Sequence, residues 1–248
     1  MHPKNTLLAA VAIAASLVSP LSMAGTITSL AGSSPVIAGT GLNGAYYDTN
    51  VGSNSAADSV FSSSIATGMF RATTINYGAG TSVPDTGTNV SVATYLGSNA
   101  SNLVGNFSST LETALYHFTG FINITSAMDI TPGGTIDVKF RVGSDDGMRL
   151  NIGGTTVAEA NYARAYGTTD GTASFQSAGL YAIDLVYWEN YGNTGVDLQW
   201  QTGSSGTFQD VATASLYTAV PASSKVPEPA TLALVGLGLL AASRARRL

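Results

Sequence analysis

The chain has 248 residues, 10% of them charged and 44% hydrophobic, with 28 glycines and no cysteine. Ten basic against fifteen acidic residues leave a net charge of −5, and a chain so short of cations lacks the basic footprint that nucleic acid or anionic lipid requires. Without thiols there are no disulfides and no cysteine-held metals, so stability rests on core burial, hydrogen bonding or a metal bound through oxygen, for which calcium suits carboxylates best.

The first 24 residues read as a signal peptide: Lys4 is the positive head, residues 7–18 an apolar stretch, and Ser22-Met23-Ala24 a small-x-small site placing cleavage between Ala24 and Gly25. Residues 25–40 are a polar, small-residue lead-in, read as poorly ordered or as an edge strand. Glycines then precede an aromatic strand at Gly41-Leu42-Asn43-Gly44-Ala45-Tyr46-Tyr47. Residues 50–106, rich in Ser, Asn and Gly, read as loops with one short helix or strand. No amphipathic helix longer than about two turns is visible between the two ends.

From Leu115 the pattern sharpens. Residues 115–124 form an aromatic strand interrupted by Gly120, which predicts a kink or bulge. Ile136, Val138, Phe140 and Val142 alternate with Asp137, Lys139 and Arg141, a half-buried strand of period two. After Gly143-Ser144-Asp145-Asp146-Gly147, the residues Met148, Leu150 and Ile152 alternate with Arg149 and Asn151, and the two strands are predicted to pair as a hairpin. Gly153-Gly154 closes the second strand, and Val157 begins another. Residues 182–188 are β-branched and aromatic, and a loop from Glu189 to Gly195 leads into a further alternating strand at 196–201. The fold class this implies is all-β, a sandwich or barrel.

Chemistry-bearing residues are few. Two consecutive carboxylates at Asp145 and Asp146, in a glycine-flanked turn, cannot both enter a core uncompensated. Two readings are open: a calcium site completed by Asn190 and the Asn193 region, since calcium takes carboxylate, amide and carbonyl oxygens, or a structural turn whose aspartates accept backbone N–H bonds or pair with Arg149. His117 is the one histidine left after signal removal, too little for a zinc site or a Ser/His triad, and its place in an aromatic strand makes it structural. Carboxylate pairs such as Asp184 and Glu189 could in principle serve glycoside hydrolysis, yet strand and loop carboxylates are usually solvated. Trp188, Tyr187, Tyr191 and Tyr166 are the aromatics that could stack on sugar rings, with core packing at least as good an account of Trp188.

The chain closes on Pro227, Glu228 and Pro229, a 13-residue apolar run at 230–242, and Arg244, Arg246 and Arg247. As a helix the run spans about 20 Å, short of the roughly 30 Å of bilayer hydrocarbon, and arginines after it stay on the cytoplasmic side. This arrangement resembles the PEP-CTERM sorting signal of Gram-negative bacteria. The resemblance implies recognition by a membrane-embedded exosortase, loss of the short transmembrane helix, only transient membrane residence, and delivery to the outer surface, in bacteria that make exopolysaccharide and biofilm matrix. Removal of residues 1–24 and 229–248 leaves six basic against fifteen acidic residues.

The series Gly-Leu-x-Gly-x-Tyr-Tyr at 41–47, Phe118-x-Gly120-Phe121, Ser144-Asp145-Asp146-Gly147-Met148-Arg149-Leu150-x-Ile152-Gly153-Gly154, Ala178-Gly179-Leu180-Tyr181, Tyr187-Trp188-Glu189-Asn190 and Leu198-x-Trp200 is similar to the protective-antigen-type, or PA-fourteen, domain. The resemblance implies an antiparallel β-sandwich over 41–215, between the lead-in and a linker at 216–225, with the sorting signal at 226–248. It implies a lectin-like carbohydrate-binding module with no enzymatic activity. In the fungal flocculins and adhesins of this family the paired aspartates, joined by a cis peptide bond, hold a calcium ion that also touches sugar. Carried over, calcium falls to Asp145, Asp146 and Asn190, and sugar to these three with Tyr191 and Trp188. The alternative is a structural matrix protein whose sandwich is a spacer without a specific ligand.

Overall fold

The computed structural model describes residues 27, 38–78, 83–84, 90–107, 111–204 and 206–220; the expected signal peptide, the sorting tail and most of the lead-in lie outside them. In chain order the elements are β1 (Leu42–Tyr47), α1 (Asn54–Ser63), β2 (Gly68–Ala72), β3 (Asn76–Tyr77), β4 (Val83–Pro84), α2 (Val92–Leu96), β5 (Val104–Gly105), β6 (Thr113–Ile124), β7 (Ile136–Asp145), β8 (Gly147–Ile152), β9 (Thr155–Ala160), β10 (Gly167–Phe175), β11 (Gly179–Asn190), β12 (Asn193–Gln201), β13 (Gln209–Asp210) and β14 (Leu216–Tyr217).

Two antiparallel sheets form a sandwich. The larger runs β5-β2-β1-β6-β11-β8-β9 with β14 beside β6, and the smaller runs β10-β7-β12-β13 with β3 and β4 on β12. Because side chains alternate along a strand, Val138, Phe140 and Val142 of β7 and Val196, Leu198 and Trp200 of β12 face Tyr116, Phe118 and Ile122 of β6 and Ile183, Leu185 and Tyr187 of β11 in one continuous core. Tyr116 stacks on both Phe118 (6.2 Å between centroids) and Tyr187 (5.6 Å), placing an aromatic row between the sheets.

The predicted hairpin of residues 136–142 with 148–152 does not form. β7 pairs with β10 and β12, whereas β8 pairs with β11 and β9. The turn at Asp145 and Asp146 therefore carries the chain from one sheet to the other, at one end of the sandwich. Alternation dictates which side chains face the core but not which strand is the neighbour, so both strands keep their predicted faces with different partners.

The loop-rich region also holds more order than predicted. α1 has ten residues, capped by Ser53, whose hydroxyl accepts the N–H of Ala56. It lies on the outer face of the larger sheet, where Val51 and Ala57 join Leu115, Val186 and Trp188 in a second small core flanked by Val60 and Phe61. Phe61 stacks on His117 at 4.0 Å, and His117 pairs with Asp184 at 2.7 Å, so His117 helps seat α1.

Ile27 of the lead-in bridges Phe175, and β14, in the residues expected to begin a linker, pairs with β6 at Ile122 and Phe121. Gly120 is where β6 needs a glycine: its φ is 154° and a Cβ there would lie 2.3 Å from the carbonyl oxygen of Tyr217. Among the described residues no helix is long and apolar enough to cross a membrane.

Candidate acidic site at the sheet crossover

The crossover brings together the end of β7, the start of β8, the end of β11 and the start of β12. Asp145 pairs in register with Gly195, and Gly147 with Trp188. Asp145, Asp146 and Glu189 are all buried, at 6%, 5% and 0% exposure, and each offers a carboxylate oxygen within 4.8 Å of the others. The Asp145–Asp146 peptide bond is cis, as the family resemblance implied.

Asp146 is held from two sides. The backbone N–H of Arg164 donates to its Oδ1 (2.7 Å) and that of Asn190 to its Oδ2 (3.0 Å). The guanidinium of Arg164 donates to the Asp146 carbonyl oxygen (3.4 Å), to Ser144 Oγ (2.7 Å) and to Thr169 Oγ1 (3.0 Å). Burial keeps the Asp146 carboxyl above the usual carboxylate range, opposed by these two N–H bonds and by the Arg164 charge. Beneath, the Tyr187 hydroxyl donates to the Asp145 carbonyl oxygen (2.6 Å), accepts the N–H of Gly195 (3.1 Å) and meets Thr194 Oγ1 at 2.6 Å, with Glu189 Oε2 3.3 Å away.

This arrangement fits an oxygen-bound cation. Calcium–oxygen distances of about 2.3–2.6 Å put ligands on opposite sides of one ion about 5 Å apart, a span that the three carboxylates already share. Three buried carboxylates within 4.8 Å of one another also concentrate negative charge, which favours either a cation or proton uptake. The cluster could hold a metal ion.

The site corrects several sequence expectations. Asn190 reaches it, its main-chain N–H bonding Asp146. Glu189, unassigned to the site from sequence, supplies the third carboxylate. The available signal was strand parity: Glu189 shares an inward face with Tyr187, and an inward carboxylate needs a partner. Trp188 cannot touch a surface ligand in this structure. It is 0% exposed beneath α1, and its indole N–H donates to Asn54 Oδ1 at 3.1 Å. Tyr187 is buried in the core, while Tyr191, 60% exposed, stands beside the cluster at φ 69°, its N–H on the Glu112 carbonyl oxygen at 2.9 Å. Tyr166 lies on the other face of β12, its hydroxyl donating to Asp197. Arg149 pairs with Asp58 of α1 at 2.7 Å instead of with the paired aspartates. Asp184 and Glu189 lie five residues apart on β11 and point to opposite faces, about 16 Å along the strand, well beyond the roughly 5–9.5 Å that glycoside hydrolysis uses.

Solved structures with this architecture include the PA14 domain of the antifreeze protein MpAFP, with 23% identity, TM-score 0.62, and 75% of this chain and 95% of that one covered. The chain has the fold of a PA14 domain. The PA14 sugar-binding domain of an RTX adhesin is as similar, with 23% identity, TM-score 0.60, and 73% and 99% covered. The A domain of epithelial adhesin 9 from Candida glabrata, solved in complex with Galβ1-4GlcNAc, shares 12% identity at TM-score 0.53, with 80% and 98% covered. No curated protein matches the sequence. Behind the PA14 fold, residues 225–247 match the PEP-CTERM protein-sorting motif, so the tail is a sorting signal.

Proposed function

We propose that this chain is an exported, surface-sorted, lectin-like protein that binds glycan at the sheet crossover with the help of calcium, in the exopolysaccharide or biofilm matrix of a Gram-negative bacterium. The observation that carries this reading is the juxtaposition of three buried carboxylates with an exposed, conformationally constrained tyrosine, Tyr191, at one end of the sandwich. Support comes from similar domains described as sugar-binding or solved with a disaccharide.

Asp145, Asp146 and Glu189 would hold the ion, with Asn190 closing the loop over Asp146. A bound calcium supplies coordination positions for sugar hydroxyls. Arg164 and Tyr187 keep the carboxylates in place by bonding the carbonyl oxygens of Asp146 and Asp145. Tyr191 offers its ring face to the apolar side of a sugar.

The maturation order we infer is removal of residues 1–24, retention of the domain over about 41–215 with its linker, and exosortase processing at the signal beginning at 226, with Pro227, Glu228 and Pro229 as the recognised tripeptide. Probing a glycan array with the exported protein, with and without chelator, tests the reading: calcium-dependent binding to a subset of glycans is expected. An array that stays dark with calcium present would leave a spacer without a ligand.

A further inference from the structure

Of the eleven tyrosines in the chain, nine are buried or half-buried, and two are exposed: Tyr162 at 59% and Tyr191 at 60%. These two stand on the two loops that grip Asp146. Tyr191 follows Asn190, whose N–H bonds one carboxylate oxygen, and Tyr162 lies two residues before Arg164, whose N–H bonds the other. With about 3.8 Å between successive Cα atoms, each tyrosine is within about 8 Å of the residue that anchors its loop to the same carboxylate.

Both loops are tied down. Arg164 spends its guanidinium on Ser144, Thr169 and the Asp146 carbonyl oxygen, which fixes the end of the 161–166 loop. Tyr191 is held in the left-handed region, where a bulky side chain is rare, by its bond to Glu112. Two exposed rings on anchored loops lose little freedom when a ligand covers them, which favours binding. Arg164 is committed to protein acceptors, and neither 161–166 nor 189–195 contains another lysine or arginine. Apart from an ion held by the cluster, nothing there would pair with a sugar carboxylate, and the three protein carboxylates already offset the two positive charges of a calcium ion.

We propose that Tyr162 is a second sugar-contact residue, bracketing the Asp145–Asp146 turn together with Tyr191, and that the site takes a neutral oligosaccharide of two or more rings in preference to uronic-acid glycans. This rests on the glycan-binding reading above. Two stacking faces on separate loops suit a ligand longer than one ring, each ring contributing through face contact.

The test is an array of glucose, galactose, cellobiose, lactose, longer neutral oligosaccharides and their uronic-acid counterparts, probed with calcium by the exported wild-type protein and by Tyr162→Ala, Tyr162→Phe and Tyr191→Ala. Wild type should favour neutral oligosaccharides over both monosaccharides and uronic-acid forms. Tyr162→Ala should lose about 3- to 10-fold in oligosaccharide affinity, the range of one aromatic contact, with little change for monosaccharides, and Tyr162→Phe should keep wild-type binding. If wild type binds and Tyr162→Ala matches it on every glycan, or if uronic-acid glycans bind best, the inference is overturned while the glycan reading stands. If wild type binds no glycan, both fall, and the variants are not needed to see it.

Discussion

Gly147 packs against the indole of Trp188 so closely that a Cβ on Gly147 would lie 2.1 Å from Cζ2 and 2.3 Å from Cε2. The first residue after the acidic turn is thus in contact with the side chain that anchors α1 through Asn54. Gly147→Ala must displace a fully buried ring, and overpacking of this kind costs about 1–3 kcal/mol. Urea unfolding should show that loss, with faster amide exchange in α1. Wild-type stability in this variant would mean that the indole moves aside freely.

Tyr191 bears a cost that glycine would not. A non-glycine residue in the left-handed region costs roughly 1–2 kcal/mol, partly offset by the greater freedom glycine has in the unfolded chain. Tyr191→Gly should raise unfolding free energy by up to about 1 kcal/mol while weakening glycan binding. A variant that is less stable yet binds as well as wild type would show the tyrosine to be structural.

If the carboxylate cluster binds calcium, saturating ion should stabilise the protein by RT ln(1 + [L]/Kd), about 2.7 kcal/mol at a hundredfold excess over Kd. Thermal unfolding with calcium and with chelator measures this directly. Asp146→Asn and Glu189→Gln should each abolish most of the increment. Equal melting in calcium and chelator would leave the cluster without a metal role.

Asp197, two residues along β12 from the partner of Asp145, offers a pH test. It is 2% exposed and accepts the Tyr166 hydroxyl, and burial lifts its carboxyl above the ordinary value of 3.8. The folded state therefore keeps a proton that the unfolded state has released, and stability from this group falls as pH rises from about 4 through the raised value. Asp197→Asn keeps an oxygen for Tyr166 and removes the titration. Its stability relative to wild type should climb across that window in denaturant titrations at stepped pH. A difference that is flat with pH would contradict the assignment.

For the tail, intact-mass analysis of the surface fraction should lack residues 1–24 and the apolar stretch 230–242. Glu228→Ala should retain the chain in the inner membrane. Recovery of an uncleaved C-terminus at the cell surface would sink exosortase processing.

Much of the architecture was legible from residue order. Period-two alternation at 136–142, 148–152 and 196–201 and the β-rich run at 182–188 revealed strands and their buried faces, because the pleat imposes that period whatever the neighbour. The adjacent aspartates and the Pro-Glu-Pro tail were visible as local patterns. α1 was not, since a run of Ser, Ala, Asp and Asn has modest helix propensity, and its helix is held by docking on Leu115, Val186 and Trp188.

What the sequence by itself determined was therefore the set of strands, the face each buries, the acidic turn and the sorting signal. Tertiary structure alone decided that β7 and β8 part into different sheets, that Glu189 joins Asp145 and Asp146, that Trp188 lies beneath a helix, and that the N–H groups of Arg164 and Asn190 grip one carboxylate. Each of these depends on contacts between residues far apart in the chain, and such pairings are selected by the packing of the whole core, on which a local pattern carries no information.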